Sequence, residues 1–262
     1  MTRFNIKSLL IVLVLFLSSI SSSIGAGSEN EPLKVDWSFK GLTGKFDRSS
    51  LQRGFQVYKE VCSSCHSMQY LSYRNLGELG GPEFSEQEVK AIAASIEIED
   101  GPDSQGEMFT RPGRPADKFK SPYPNVNASI AANGGAYPPD MSVLVKARPG
   151  GSNYIYSVLM GYEDPPVGMN LDDGVYYNKY MIGNKIKMSS PLSDDIVEYT
   201  DGTQATVGQM AKDVTTFLTW AAEPELEERH RTGVKVIIYL ILLTTLVYLS
   251  MKKIWSRIDT EV

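Results

Sequence analysis

Cys62-Ser63-Ser64-Cys65-His66 is the stretch on which the reading of this chain turns. Its two thiols, three positions apart, sit on neighbouring parts of one helical turn. Both can add to the two vinyl groups of one porphyrin, and the next residue can aim its imidazole at the iron from the same side. Cys-x-x-Cys-His is the attachment signature of c-type haem. The chain has 262 residues and no other cysteine, which excludes a disulfide scaffold and a Cys₄ metal site. Its only other histidine is His230, so a His₃ site is excluded and zinc would lack ligands. A thioredoxin-like pair would need a βαβ context, which the pattern does not offer. A disulfide closed across two residues would be strained.

Outward from the motif, the ends of the chain read as an address and an anchor. Arg3 and Lys7 precede the apolar run Leu9 to Leu17, and Ser23 and Gly25 occupy small-residue cleavage positions. Residues 1–25 are therefore expected to be a signal peptide, with Ala26 opening the mature chain. Val234 to Met251 is a second apolar run, with the single charge Lys235 near its start. At about 1.5 Å per residue it covers roughly 27 Å, close to a bilayer core. Lys252-Lys253 ends it abruptly, which disfavours a buried core helix. The expected organisation is a signal peptide at 1–25, an exported c-type haem domain at 26–233, a transmembrane anchor at 234–251 in contact with lipid, and a cytoplasmic tail at 252–262. Six of the 26 basic residues and two of the 31 acids fall outside 26–233, which leaves 20 against 29 and a net charge of −9. That sign excludes nucleic acid as the main partner and favours a basic protein.

The exported part reads as helical islands in a Pro/Gly-rich chain. Leu51, Phe55, Tyr58, Val61 and Cys62 share a helical face behind Ser49-Ser50, an N-cap pair. Ser85 and Glu88 form a capping box before Val89, Ile92, Ala93 and Ile96, and Ser152 caps a helix carrying Ile155, Val158 and Leu159. Thr206 and Gln209 make another box, followed by an apolar stripe from Val207 to Ala221. Asp201-Gly202 marks a small hairpin. The predicted fold is mainly α: a cytochrome c-like haem domain with long Pro/Gly-rich loops and a small β-hairpin, plus one C-terminal transmembrane helix.

Iron held by His66 needs a sixth ligand. His230 lies among Glu227, Glu228, Arg229 and Arg231 at the expected membrane rim, a poor position for it. Methionine is the natural donor, and a Met/His pair raises the reduction potential. Met68 is too near His66 to reach the opposite haem face, Met210 lies in a core stripe and Met251 in the anchor. Met108, Met141, Met160, Met169, Met181 and Met188 stay open, and for each of them packing is the ordinary role. Met188 is favoured by its loop setting and the following Pro191.

Beyond the haem motif, an ordered series of segments resembles the cytochrome c1 family, the haem subunits of the cytochrome bc1 complex. The series comprises Tyr73-Arg74-Asn75-Leu76, Asp100-Gly-Pro, Gly106-Glu-Met-Phe, Arg111-Pro-Gly, Ser121-Pro-Tyr-Pro-Asn125, Ala131-Ala-Asn-Gly-Gly-Ala136, Pro138-Pro-Asp140, Gly161-Tyr162, Asp201-Gly-Thr and Trp220-Ala-Ala-Glu-Pro224. Length and leader resemble a bacterial, α-proteobacterial-type member. The resemblance implies one haem c bound covalently by Cys62 and Cys65, with His66 and Met188 as iron ligands and Arg111 near the propionates. Ser189-Ser190 stand where many members have Ala and Pro. It further implies cytochrome b and the Rieske iron–sulfur protein as partners, a cytochrome c as electron acceptor, and a single-pass protein of the bacterial inner membrane with its haem domain in the periplasm. The acids Glu97, Glu99, Asp100, Asp103 and Glu107 are candidates for guiding that acceptor. As an isolated chain the protein is expected to carry electrons, with no catalytic residues of its own. Two rival readings stand beside this one: a tethered c-type subunit of another respiratory complex, and an exported thiol–disulfide oxidoreductase.

Overall fold

The computed structural model describes residues 30–258. The signal peptide expected at 1–25 and the end of the tail, 259–262, lie outside the described residues. Six α-helices carry the fold within them: α1 (Arg48–Glu60), α2 (Glu86–Ala94), α3 (Val126–Ala132), α4 (Ser152–Met160), α5 (Val207–Ala222) and α6 (Leu226–Ile258). Strands are few. β1 (Glu97–Asp100) pairs antiparallel with β2 (Phe109–Pro112), and β3 (Tyr176–Tyr177) with β4 (Lys185–Ile186). The fold is mainly helical, as the sequence predicts.

Local chemistry explains where the helices begin. Asp47, not Ser49 or Ser50, caps α1, and its carboxylate accepts from the N–H groups of both serines. The Ser85–Glu88 box closes reciprocally on α2. Ser152 is the first residue of α4 rather than its cap, and its hydroxyl meets Thr219 Oγ1 at 3.0 Å. Thr206 caps α5, but Gln209 turns forward to Asp213 and leaves the box half made. The hairpin expected at Asp201-Gly202 does not form. The Asp201 carboxylate instead accepts from Thr203 N–H at 2.9 Å and pairs with Arg53 at 2.7 Å. Across that turn the backbone bonds are Asp195 N–H to Ala205 O at 2.9 Å and Gly202 N–H to Tyr199 O at 3.3 Å.

The core is organised by the crossing of α1 on α5. Gly54 lies so close to the Asp213 carbonyl that any Cβ would clash with it. On one side of that contact, Phe217 packs on Phe55 and Tyr58 with ring centroids 5.7 Å and 5.9 Å apart. On the other, the fully buried Asp213 carboxylate accepts from Ser50 Oγ, from Arg53 Nε at 2.8 Å and from Gln209 Nε2 at 3.0 Å. A buried charge is tolerable when it is paired and hydrogen-bonded in this way.

Helix α6 leaves the domain after Pro224. Its stretch Leu226–Ser256 is long and apolar enough to cross a membrane, and its most apolar window is wholly unburied. An apolar helix exposed all round matches a lipid solvent rather than water. Its first turn is tied to the start of α1. Glu227 receives Arg48 through both carboxylate oxygens, at 2.7 Å and 2.9 Å, and Phe46 N–H at 2.9 Å. His230 Nδ1 lies 3.1 Å from the Gly44 carbonyl.

Gly54→Ala is expected to lower the thermal unfolding midpoint, with an overpacking cost of about 1–3 kcal/mol. An unchanged midpoint would mean that α1 and α5 separate freely.

Candidate haem site

The attachment motif follows α1 directly, because that helix stops one residue short of it. Val61 closes α1 on the Val57 carbonyl, and Cys62–Ser64 form a 3₁₀ turn. Cys62 therefore does not continue the helical face expected of it. The Cys65 and His66 N–H groups both bond the Cys62 carbonyl, at 3.2 Å and 2.9 Å, so both thiols and the imidazole spring from one turn. Both cysteines are free and half-buried. Burial, with Cys65 nearby as a lesser cause, pushes the Cys62 thiol up to about 12.

His66 is buried, and its Nδ1 sits 2.8 Å from the Pro139 carbonyl. A carbonyl can only accept, so the proton is on Nδ1 and Nε2 keeps its lone pair. Burial holds the imidazole below its ordinary value and therefore neutral, against the opposing pull of Pro139 and Asp140. Metal-bound histidines are normally oriented by this kind of bond.

The Pro138–Ser142 segment splints the residues after His66. The Asp140 carboxylate accepts from Ser67 Oγ at 2.7 Å, Gln69 N–H at 3.0 Å and Ser142 N–H at 2.9 Å. Met141 N–H bonds the Ser67 carbonyl at 2.8 Å, and Ser142 Oγ accepts from Tyr70 N–H at 3.1 Å. Tyr58 Oη reaches the His66 carbonyl at 3.3 Å. Burial works against the charge on Asp140, but its hydrogen bonds outweigh that cost and hold it below the usual carboxylate range. The sequence contains one usable signal for this splint: Pro138-Pro139 bring carbonyls without N–H donors, and Asp140 is a turn residue.

Two cavities adjoin the motif and share Ser121 and Pro122 in their linings. One, of about 200 Å³, is lined by Phe55, Tyr58, Ser63, Tyr73 and Phe119. The other, of about 170 Å³, is lined by Cys65, Ser67, Tyr123 and Pro138. Two free thiols on one turn, a neutral imidazole with Nε2 unspent and aromatic-walled space beside them fit a covalently attached haem.

The structure narrows the methionines. Met141 and Met210 are core residues, and Met160 packs on the core. The Met181 thioether accepts from Tyr154 Oη at 3.3 Å. Met108 is exposed on the β1–β2 loop. Met188 follows β4, half-buried, and its carbonyl accepts from Tyr162 Oη at 3.1 Å. Arg111 lies on β2 and is held by acids. Nε reaches Asp100 at 2.5 Å, while Nη1 and Nη2 grip both Asp117 oxygens at 2.6 Å and 2.9 Å. Arg111 holds Asp117 down to about 2.

Residues 37–258 match the model of the Cytochrome C1 family. A protein described as cytochrome b/c1 of Bradyrhizobium diazoefficiens is 48% identical, over 92% of this chain and 38% of that longer protein. A cytochrome c1 of Rhodospirillum rubrum is 49% identical, over 86% of this chain and 88% of its own length. A mitochondrial cytochrome c1 haem protein of Solanum tuberosum is 49% identical, over 87% of each.

Asp117 is depressed in the folded state, so its share of stability is present above an unfolded value of about 3.9 and is lost as pH falls toward 2. Asp117→Asn should flatten the acid limb of the unfolding curve between about pH 4 and 2. A variant as acid-sensitive as its parent would show that the Arg111 clasp is not coupled to folding.

Proposed function

The chain belongs to the Cytochrome C1 family and binds haem c covalently as a subunit of a cytochrome bc1 complex, and from that premise we propose that it relays single electrons from a Rieske iron–sulfur protein to a cytochrome c. The observation that carries the proposal is the commitment of His66 Nδ1 to the Pro139 carbonyl, which leaves Nε2 for iron one residue after two free thiols. When bound, haem supplies a one-electron couple. Cys62 and Cys65 would hold it by thioether bonds, and His66 would be one iron ligand. Met188 would be the other, and a thioether there would raise the potential. With both residues committed to the metal, the chain would leave no place on it for a substrate, which suits electron transfer. In this reading Arg111 would stand near a haem propionate, its guanidinium held in place by Asp100 and Asp117.

The membrane-anchored chain is proposed to stand in a bacterial inner membrane, with 26–233 in the periplasm beside cytochrome b and with 234–251 in lipid. Acidic residues at 97–107 are proposed to steer a basic cytochrome c. The structure supports this for part of the cluster. Asp100 serves Arg111, and Asp103 caps its own loop through Gln105 and Glu107 N–H. Glu97, Glu99 and Glu107 are left with exposed side chains. Glu97 and Glu99, two apart on β1, point to the same face of that strand.

Met188→Leu in the full, haem-loaded chain should abolish the Met–iron charge-transfer band and lower the reduction potential. An unchanged spectrum transfers the distal role to another methionine. Reduction of a basic cytochrome c should also slow steeply as salt rises, because exposed charges are screened within about 10 Å at 0.1 M. A flat salt profile rules out the acidic face.

A further inference from the structure

The loop that carries Met188 hangs on α4 and on the residues just past its end. Fully buried Asn178 donates from Nδ2 to the Val158 carbonyl at 2.7 Å and accepts from Tyr180 N–H at 3.1 Å. Lys179 N–H bonds the Gly161 carbonyl at 2.9 Å. Tyr154 Oη donates to the Met181 thioether at 3.3 Å. These bonds fix the beginning of the loop. Met188 itself is reached by Tyr162 Oη, which donates to its carbonyl at 3.1 Å.

The surroundings of that contact are open. Lys187, Ser189 and Ser190 are exposed, and Tyr162 and Ser190 both line a solvent-open cavity of about 580 Å³ with Tyr176 and Tyr177. Among the described residues the other side-chain ties near residue 188 are Lys187 Nζ to the Gly134 carbonyl at 3.2 Å and Ser190 Oγ to the Leu192 carbonyl at 3.3 Å, while the β3–β4 pairing ends at Ile186, two residues before Met188. The first is an exposed ammonium on a flexible stem, and the second is local to the strand of chain beyond Met188. A neutral thioether competes for iron largely through how well its backbone is held in place beforehand, since an ordered donor has less entropy to lose on binding.

We infer that Tyr162 is a positioning residue for the distal ligand: its hydroxyl latches the Met188 main chain so that the thioether is presented with little further ordering. The inference rests on Met188 being that ligand. Removing the hydroxyl leaves the thioether chemistry intact but frees the segment toward the open cavity, so an external ligand displaces it more readily.

The test uses the full chain with haem attached, held in detergent and oxidised, and titrates imidazole as the competing ligand. Tyr162→Phe keeps the ring and the covalent haem. Its apparent affinity for imidazole should rise about fivefold to tenfold, the equilibrium equivalent of one neutral hydrogen bond. Tyr154→Phe, which loosens the same loop at Met181, should change it less than about twofold. An equal rise in both variants, or no rise for Tyr162→Phe while Met188→Leu still abolishes the Met–iron band, overturns the latch and spares the ligand assignment. A band that survives Met188→Leu overturns the ligand assignment and the latch together.

Discussion

The close approach of α1 to α5 at Gly54 is the constraint from which the rest of the haem domain follows. With no side chain at that position the two backbones meet, and the aromatic rings of Phe55, Tyr58 and Phe217 close over the seam. The thiol turn begins where α1 ends, so whatever fixes α1 also fixes the haem attachment point. The other helix of the pair, α5, runs by way of Pro224 into the membrane-length helix α6. Arg48 and Glu227 add a second tie between the same two ends. One helix crossing thereby sets the attachment site in a fixed relation to the start of the anchor.

Around His66 the chain works mainly through backbone carbonyls and one carboxylate. The Pro138–Ser142 segment has no regular structure, yet it settles the tautomer of the imidazole and satisfies the polar groups that follow it. A loop rich in proline suits this task because it offers acceptors without needing partners for N–H groups. Burial keeps the ring neutral, which a metal ligand requires.

Charge tells a similar story of internal use. Residues 26–233 carry nine more acids than bases, but five of the acids are engaged within the fold: Asp213 between α1 and α5, Asp100 and Asp117 around Arg111, Asp140 beneath the haem motif, and Asp201 on Arg53. The acidic charge left on the surface is smaller than the net charge suggests. At 97–107, Glu97 and Glu99 owe their common orientation to the two-residue repeat of β1.

The attachment motif, the two capping residues Ser85 and Thr206, the amphipathic stripe of α5 and the membrane-length apolar run could all be read directly from the chain, because each is encoded by neighbours within about one or two helical turns. The cap of α1 is Asp47, ahead of the Ser49-Ser50 pair expected for it, because its carboxylate takes the N–H groups of both serines. The hairpin expected at Asp201-Gly202 does not form; one Asp201 oxygen closes a local turn on Thr203 N–H and the other pairs with Arg53, 148 positions earlier. Arg111 was legible as a charged residue in a Pro/Gly-rich segment, but its carboxylate partners were not. The same holds for Pro139 on His66 and Tyr162 on Met188, pairs 73 and 26 positions apart. A local pattern specifies which groups the chain offers. Only the packing of α1, α4 and α5 decides which of them meet, because a hydrogen bond acts over about 3 Å and carries no trace of sequence distance.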